Sequence, residues 1–556
     1  MASQEPNQLH FLVIPLGSPG HYIPTIDIAK LLAQQGVQVT IVTTPVNTIR
    51  FGSILDQAIQ SGLSITFLEL PFRYTEFGLP EGCECLDDLP NFSYAKALME
   101  GYASLQILVE QHIEKLERKP DCIVSDSFML WAGETAKKFQ IHRVIFDGMN
   151  CFTQMCNYML YVSKVYESVG DSDTFVVPGL PDCIELKKSQ LPFQFNPGLR
   201  HQGQGDFHEK LRLSEAEAYG VVVNSFQELE QEYADEYKKV KGEKVWCVGP
   251  LSLCYKDATE QVQRGNKSSI NKNVCLEWLD SRETGSVIYA CLGSISRVET
   301  DQLVELALAL EACKMPFIWV VRAGHKSEKI EKWIDENGFE ERTKDRGLLI
   351  HGWAPQLLVL SHPAIGGFLT HCGWNSILEG ICAGVPMVTW PQFQEQFYNE
   401  KLVVQVLKIG VSVGAQNVVH LGEEEKFGVV VKIEEFKKAI EILMEEGEER
   451  EDRRKRAIEL SILARKTIED GGSSHENMRR LIEDIRDHAS TTKSSLANTR
   501  QTLNIVSKCN THYDILELAV AGVGVVGEVV AGCFYASWLR FEMSFQGLET
   551  DTLLKT

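Results

Sequence analysis

Between Trp353 and Gln396 the chain carries, in order, groups suited to holding a nucleotide joined to a sugar. Ala364–Leu369 is a short apolar run bounded by turn formers, and Thr370-His-Cys-Gly-Trp-Asn375 leads from it into Ser376–Ala383, which has helical spacing. A strand, a tight loop and a helix start bring unpaired backbone N–H groups and the positive end of a helix dipole together. Asn375 and Ser376, with His371, are therefore expected to bind a diphosphate. Trp353 offers a flat face on which a base can stack. Glu379 follows Asn375 and Ser376 by one helical turn, so its carboxylate can accept two hydrogen bonds from a ribose diol. Glu395 and Gln396, after the Trp390-Pro391 break, supply acceptors and donors for sugar hydroxyls.

A second group of reactive residues lies near the N-terminus. Gly17-Ser-Pro-Gly-His21 comes directly after an apolar run, ahead of a helix that Pro24 can start at its first turn. Imidazole titrates in the range useful for taking a proton from a hydroxyl, while a surface or capping histidine is the plain alternative. Asp126 ends Cys122-Ile-Val-Ser125 in the same expected sheet, where a carboxylate can orient an imidazole or simply cap a loop. Gly293-Ser294 follows the run Ser286–Leu292, where a small hydroxyl can touch a diphosphate or close a plain turn. No metal-ligand constellation stands out, and the fifteen scattered cysteines read as reduced, mostly buried thiols.

Positioning these residues requires a particular kind of fold. In the first half, short apolar runs (Leu9–Leu16, Val37–Thr43, Cys122–Ser125, Val144–Phe146, Gly220–Asn224) alternate with amphipathic stretches such as Ile23–Gln35. The second half repeats the scheme with Ser286–Leu292, Pro316–Val321, Leu348–His351, Ile365–Leu369 and Val385–Thr389. Strands buried on both faces and joined by helices imply parallel sheets with right-handed crossovers, so an α/β protein of two doubly wound domains is predicted. The expected division is residues 1–250, a polar linker 251–273 and a second domain 274–473. Ligands of such sheets bind beyond the carboxyl ends of the strands, which places donor and acceptor on opposite walls of a cleft. Aromatic and apolar stretches containing Phe92, Phe128 and Phe152 are expected to line the acceptor wall.

A hydrophobic content of 44% suffices for large cores, and a net charge of −21 argues against nucleic acid or an anionic membrane as partner. The first residues lack a basic region and an apolar core of signal-peptide length, so a cytoplasmic protein is expected, and a monomer. Residues 489–556 are atypical: a polar stretch precedes the apolar Leu516–Leu539, but Glu528 near its middle and many glycines argue against stable membrane insertion, and a poorly ordered tail is expected.

The segment Trp353–Gln396 resembles, without a gap, the signature box of the plant family-1 UDP-dependent glycosyltransferases of secondary metabolism and hormone conjugation. Gly249-Pro250, Leu276-Glu-Trp-Leu-Asp-Ser281, Leu292-Gly-Ser-Ile-Ser296 and Gly471-Gly-Ser-Ser474 extend the resemblance over most of the chain. The similarity is greatest to a branch acting on cytokinins, brassinosteroids, flavonoids and triterpenoids. It implies the GT-B fold, with a helix around 474–488 crossing back to the N-terminal domain, and a catalytic dyad of His21 and Asp126. It further implies uracil contacts by the main chain of Ala354 and Gln356, a contact from Trp374 beside sugar and phosphates, and a glucose preference from Gln396. The resemblance implies metal-independent, inverting transfer from UDP-glucose to a hydroxyl of a hydrophobic small molecule, without any cofactor. Three features depart from the family: Ser18-Pro19 replace the usual residues before Gly20-His21, His351 stands where Arg or Lys is frequent, and Glu395 stands where Asp is common. Two other functions compete. A dehydrogenase is disfavoured because the first turn lacks G-x-G-x-x-G, and a hydrophobic-ligand-binding protein without transfer activity would have no need of His21 and Asp126.

Overall fold

The computed structural model describes residues 8–488 except 147, 171–172, 197–203, 256–257, 323–326, 420–421 and 423. Seven strands form the first sheet: β1 (His10–Ile14), β2 (Gln38–Thr43), β3 (Ile65–Glu69), β4 (Cys122–Asp126), β5 (His142–Phe146), β8 (Gly220–Val223) and β9 (Val245–Cys247). A two-stranded ribbon, β6 (Thr174–Val176) with β7 (Glu185–Lys187), interrupts them in sequence. The second sheet has six strands: β10 (Val287–Cys291), β11 (Phe317–Val321), β12 (Gly347–His351), β13 (Ile365–Thr370), β14 (Met387–Thr389) and β15 (Gly410–Ser412). Every pairing in both large sheets is parallel. Residues of β1, β4 and β13 are buried throughout, as strands covered by helices on both faces must be.

Strand order carries the functional consequence. The first sheet runs β3-β2-β1-β4-β5-β8-β9 and the second β12-β11-β10-β13-β14-β15. In each, the chain first winds one way from its opening strand and then the other way, so direction reverses between β1 and β4 and between β10 and β13. A crevice opens beyond the carboxyl ends of two strands at such a reversal. His21 follows β1 and Asp126 ends β4; Ser294 follows β10 and His371 follows β13.

Both sheets belong to the compact unit Met1–Ile482; of the unit Glu483–Thr556, residues 483–488 are described and are helical. Within the first unit, Ser474 Oγ donates to the Gly249 carbonyl and Asn477 Nδ2 to the Cys247 carbonyl at 2.9 Å, which fastens the helical residues 473–482 to the end of β9. Among the described residues no helix is long and apolar enough to cross a membrane. The stretch Leu516–Leu539 and the expected tail lie outside the described residues.

Two expectations about elements change. The helix after β1 spans Pro19–Gln34, with Pro19 in its first turn and Pro24 inside it. The polar stretch 251–273, expected to be a linker, contains the helix Ala258–Gln263 and is bonded to both halves of the unit through Lys30–Glu260 (2.8 Å), Arg264–Asp27 (3.0 Å) and Arg264–Glu379.

Candidate active site

One cleft of about 1880 Å3 takes its walls from both sheets. His21, in the first turn of the helix Pro19–Gln34, points its Nδ1 at Asp126 Oδ2 across 2.7 Å. The Asp126 carboxylate is fully buried, while the histidine side chain keeps 24% of its exposure. Asp126 Oδ1 also accepts the Phe128 N–H at 2.9 Å, and the Phe128 ring meets the imidazole edge-on with centroids 5.9 Å apart. The aspartate therefore fixes the imidazole in one plane and stabilises a positive charge on it.

Pro24 shapes the same turn in a less obvious way. A residue at that position would donate its N–H to the Gly20 carbonyl, four residues back, and proline has no such hydrogen. The Gly20 carbonyl instead accepts Asn375 Nδ2 at 2.6 Å, while Asn375 Oδ1 accepts Asn224 Nδ2 at 3.3 Å. Thus the turn bearing His21 is bonded directly to the helix start that follows the loop after β13.

That loop ends in the helix Trp374–Ala383, whose first intrahelical bond runs from Ile377 N to Gly373 O at 3.1 Å. Amides of Trp374, Asn375 and Ser376 precede this bond and form the helix N-terminus, an anion site by geometry. Asn375 has its side chain committed to the opposite sheet, so the backbone N–H is what it offers here. Trp374 is buried, and its indole N–H donates to the Asn224 carbonyl at 2.7 Å. Ser376 Oγ accepts Gln356 Nε2 at 3.1 Å, and the same Nε2 donates to Glu379 Oε2 at 2.8 Å. Gln356 Oε1 in turn accepts the Tyr289 hydroxyl at 3.2 Å, so the side chain of Gln356 organises its neighbours.

His371 lies under the Gly293 turn. A Cβ on Gly293, where φ is +74°, would fall 2.5 Å from the imidazole, so only glycine permits this approach. Burial and the adjacent Arg322 guanidinium depress the His371 pKa to about 4, which keeps the ring neutral at physiological pH. Its Nδ1 is buried without a hydrogen-bond partner among the described residues. Ser294, Trp353, Ala354 and Glu395 also line the cleft. Burial raises the Glu395 pKa, and the nearby His21 partly opposes this. Gln396 lines the cleft, and its Oε1 accepts the N–H groups of Gln392 (2.9 Å) and Phe393 (3.2 Å).

Of the residues expected to form the acceptor wall, Phe92 and Phe128 line the cleft, with Met149, Gln154 and Phe207. Phe152 does not. It is fully buried, packs on Tyr233 with centroids 4.8 Å apart, and donates its N–H to Glu230 Oε2 at 2.7 Å. Its apolar character reflects the core under the helix Cys151–Ser163. Among the described residues one group, Cys85, Asp87 and Asp88, has the spacing of a metal site, and both aspartates already pair with the Arg50 guanidinium.

The model of the family "UDP-glucoronosyl and UDP-glucosyl transferase" matches residues 266–445. UDP-glycosyltransferase 73E1 of Stevia rebaudiana is 47% identical over 486 residues, covering 86% of this chain and 97% of that protein. The chain belongs to the plant UDP-glycosyltransferases. UDP-glycosyltransferase 73C6 of Arabidopsis thaliana is likewise 47% identical, over 87% of this chain and 97% of its own. Among solved structures, Glycyrrhiza uralensis UGT73P12 complexed with glycyrrhetinic acid 3-O-monoglucuronide superposes with a TM-score of 0.82 at 36% identity, over 89% of this chain and 99% of that one. Medicago truncatula UGT71G1 complexed with UDP-glucose gives 0.68 at 27%, over 86% and 98%. The two facing parallel sheets are accordingly the GT-B fold.

Two cleft residues of this glycosyltransferase, and one buried residue beside the cleft, escape a reading by sequence. Arg322, at the end of β11, donates to the Ser296 carbonyl at 2.7 Å and brings a cation beside His371. Its position just after the apolar run Pro316–Val321 was the available signal. Asn224, after β8, holds both Trp374 and Asn375, and Arg264 holds Glu379. Neither sits in a recognisable motif.

Proposed function

We propose that this enzyme transfers glucose from UDP-glucose to a hydroxyl of a hydrophobic small molecule, with inversion and without a metal. The observation that carries the reading is the His21–Asp126 pair at 2.7 Å, one residue from the Gly20 carbonyl that Asn375 grips. A base and a diphosphate anchor are thereby held side by side.

In this mechanism Trp353 stacks on uracil, the main chain of Ala354 and Gln356 meets its edge, and Glu379 accepts the ribose hydroxyls. The first-turn amides of Trp374–Ser376, neutral His371 and Ser294 hold the diphosphate. Glu395 and Gln396 take hexose hydroxyls. With Nδ1 engaged by Asp126, His21 Nε2 removes the acceptor proton as its oxygen attacks the anomeric carbon and UDP departs from the opposite face. Attack of that kind turns the α-linked donor into a β-glucoside. Dipoles and the Arg322 cation take up the charge of the leaving group, which supports catalysis without a divalent ion or any other cofactor. Phe92 and Phe128 favour a flat apolar acceptor, and we place the enzyme in the cytoplasm as a monomer.

The test is a screen of UDP-glucose against hydroxylated cytokinins, flavonols, brassinosteroids and triterpenoids, read by product mass and anomeric coupling constant, with and without EDTA. A β-linked hexoside formed equally in EDTA is expected. An α-linked product, or activity restored only by manganese, would refute the mechanism. A protein that only bound such ligands would release no UDP.

A further inference from the structure

The segment joining the two sheets does more than span them. Arg264 Nε and Nη2 donate to Asp27 Oδ2 at 3.1 and 3.0 Å, and its Nη1 donates to Glu379 Oε1. The guanidinium is only 7% exposed and its two carboxylate partners 0% and 7%. Tyr255, from the same segment, donates its hydroxyl to the other oxygen of Asp27. Asp27 lies on the helix that carries His21, and Glu379 on the helix whose N-terminus faces the diphosphate position. The next residue, Gly265, has φ +110°, and a Cβ there would fall 2.4 Å from the Trp353 indole. Four residues further, Ser269 N donates to the Trp353 carbonyl at 2.8 Å, and Trp353 N returns a bond to Ser269 Oγ at 2.8 Å.

We propose that Arg264 and Gly265 are donor-positioning residues, which hold Glu379 and Trp353 in the geometry that receives uridine. The proposal rests on the reading of Glu379 as ribose acceptor and Trp353 as base platform. A buried carboxylate needs a cation or hydrogen bonds to offset its lost hydration, and a bare one would turn toward water. Arg264 supplies that partner on Oε1 and Gln356 on Oε2, at 2.8 Å. Two of the four lone-pair directions of the carboxylate are then used, and two remain for the ribose diol. On the indole, the absence of a side chain at 265 lets the backbone pack against the ring and leaves the ring no freedom to tilt away from a stacked base. Because Arg264 also grips Asp27, the same guanidinium ties the donor pocket to the helix of the base.

An opposite arrangement is conceivable on the same atoms, with the segment covering the uridine position and hindering entry; the two differ in sign. Steady-state kinetics with UDP-glucose, and calorimetric titration of UDP and of 2′-deoxy-UDP, should be run on the parent, Arg264→Ala, Arg264→Lys, Glu379→Gln and the double variant Arg264→Ala/Glu379→Gln. Arg264→Ala is expected to raise the KM for UDP-glucose about tenfold, leave kcat within about twofold and abolish the preference for UDP over 2′-deoxy-UDP. Arg264→Lys, which keeps the charge and guards against loss of folding, should recover part of that KM. In the Glu379→Gln background, Arg264→Ala should add less than about twofold, because both act through one contact. Gly265→Ala should weaken UDP and 2′-deoxy-UDP alike. A KM unchanged or lowered by Arg264→Ala, or full additivity in the double variant, overturns the proposal while leaving the ribose assignment standing. A parent that binds both nucleotides equally overturns the ribose assignment and this proposal with it.

Discussion

The two walls of the cleft are built differently. On the donor wall almost every polar side chain is tied down by a neighbour: Trp374 and Asn375 by Asn224, Ser376 and Glu379 by Gln356, Glu379 again by Arg264, Gln396 by its own turn. On the proposed reading, a ligand common to a whole enzyme family meets a pre-formed site there, which limits the ordering cost of binding. The proposed acceptor wall is aromatic. Phe92 sits on a short 3-10 turn, Phe128 in the turn after β4, Met149 before the helix Cys151–Ser163 and Phe207 on another helix. Apolar contact is non-directional, so such a wall accepts many shapes with little change to its frame. The donor wall thus specifies a chemical identity, and the acceptor wall only a size and polarity.

Substitutions at the boundary between the walls should have the largest effects. His21→Ala is expected to lower kcat by about a thousandfold or more with UDP affinity retained, measured by product formation and calorimetry. A residual rate close to the parent's would remove histidine from the chemistry. Asp126→Asn keeps the shape but loses the charge that orients and stabilises the imidazolium; a fall in kcat of about a hundredfold is expected. Within the donor wall, Glu379→Gln should raise the donor KM about tenfold and leave the acceptor KM unchanged. On the acceptor wall, Phe128→Leu should alter kcat/KM by only about threefold for any one acceptor, while changing the ranking among acceptors. Should Phe128→Leu instead weaken UDP as strongly as Glu379→Gln, the two walls would not be separable.

The smallest effect concerns pH. His371 has its folded pKa at about 4, below the 6.5 of an unfolded histidine, so the unfolded chain binds the extra proton first. Its contribution to stability is complete above about pH 6.5 and is lost as pH falls from there toward 4. His371→Gln should therefore show a shallower loss of melting temperature over that window than the parent. An identical slope would mean that the buried imidazole is charged in the folded protein.

Legibility in the sequence follows the same division between the walls. Alternating apolar runs place most strands of both sheets to within a residue or two, because strands buried on both faces leave that pattern. The donor segment reads in order because strand, loop and helix are contiguous from Ile365 to Ala383, so spacing in sequence becomes spacing in space. Arg264 had no such signal: it lies in an aperiodic polar stretch, and its partners are 237 and 115 residues away. Phe152 was misplaced because apolarity alone does not separate a core face from a cleft face; the difference lies in Tyr233 and Glu230, which come from later elements. The helix start was misplaced for a local reason. Both Pro19 and Pro24 satisfy the preference for proline near a helix start, and only tertiary structure tells which one occupies it.

A proline in mid-helix ordinarily counts as a defect. At Pro24 the missing hydrogen leaves one main-chain oxygen for a partner on the far lobe, and Asn375 fills the vacancy. Placement of the proposed general base is thereby gauged against the proposed phosphate-binding turn itself, not against its parent strand alone. A shift of either lobe by about 1 Å, enough to spoil an in-line attack, would first have to break this short bond.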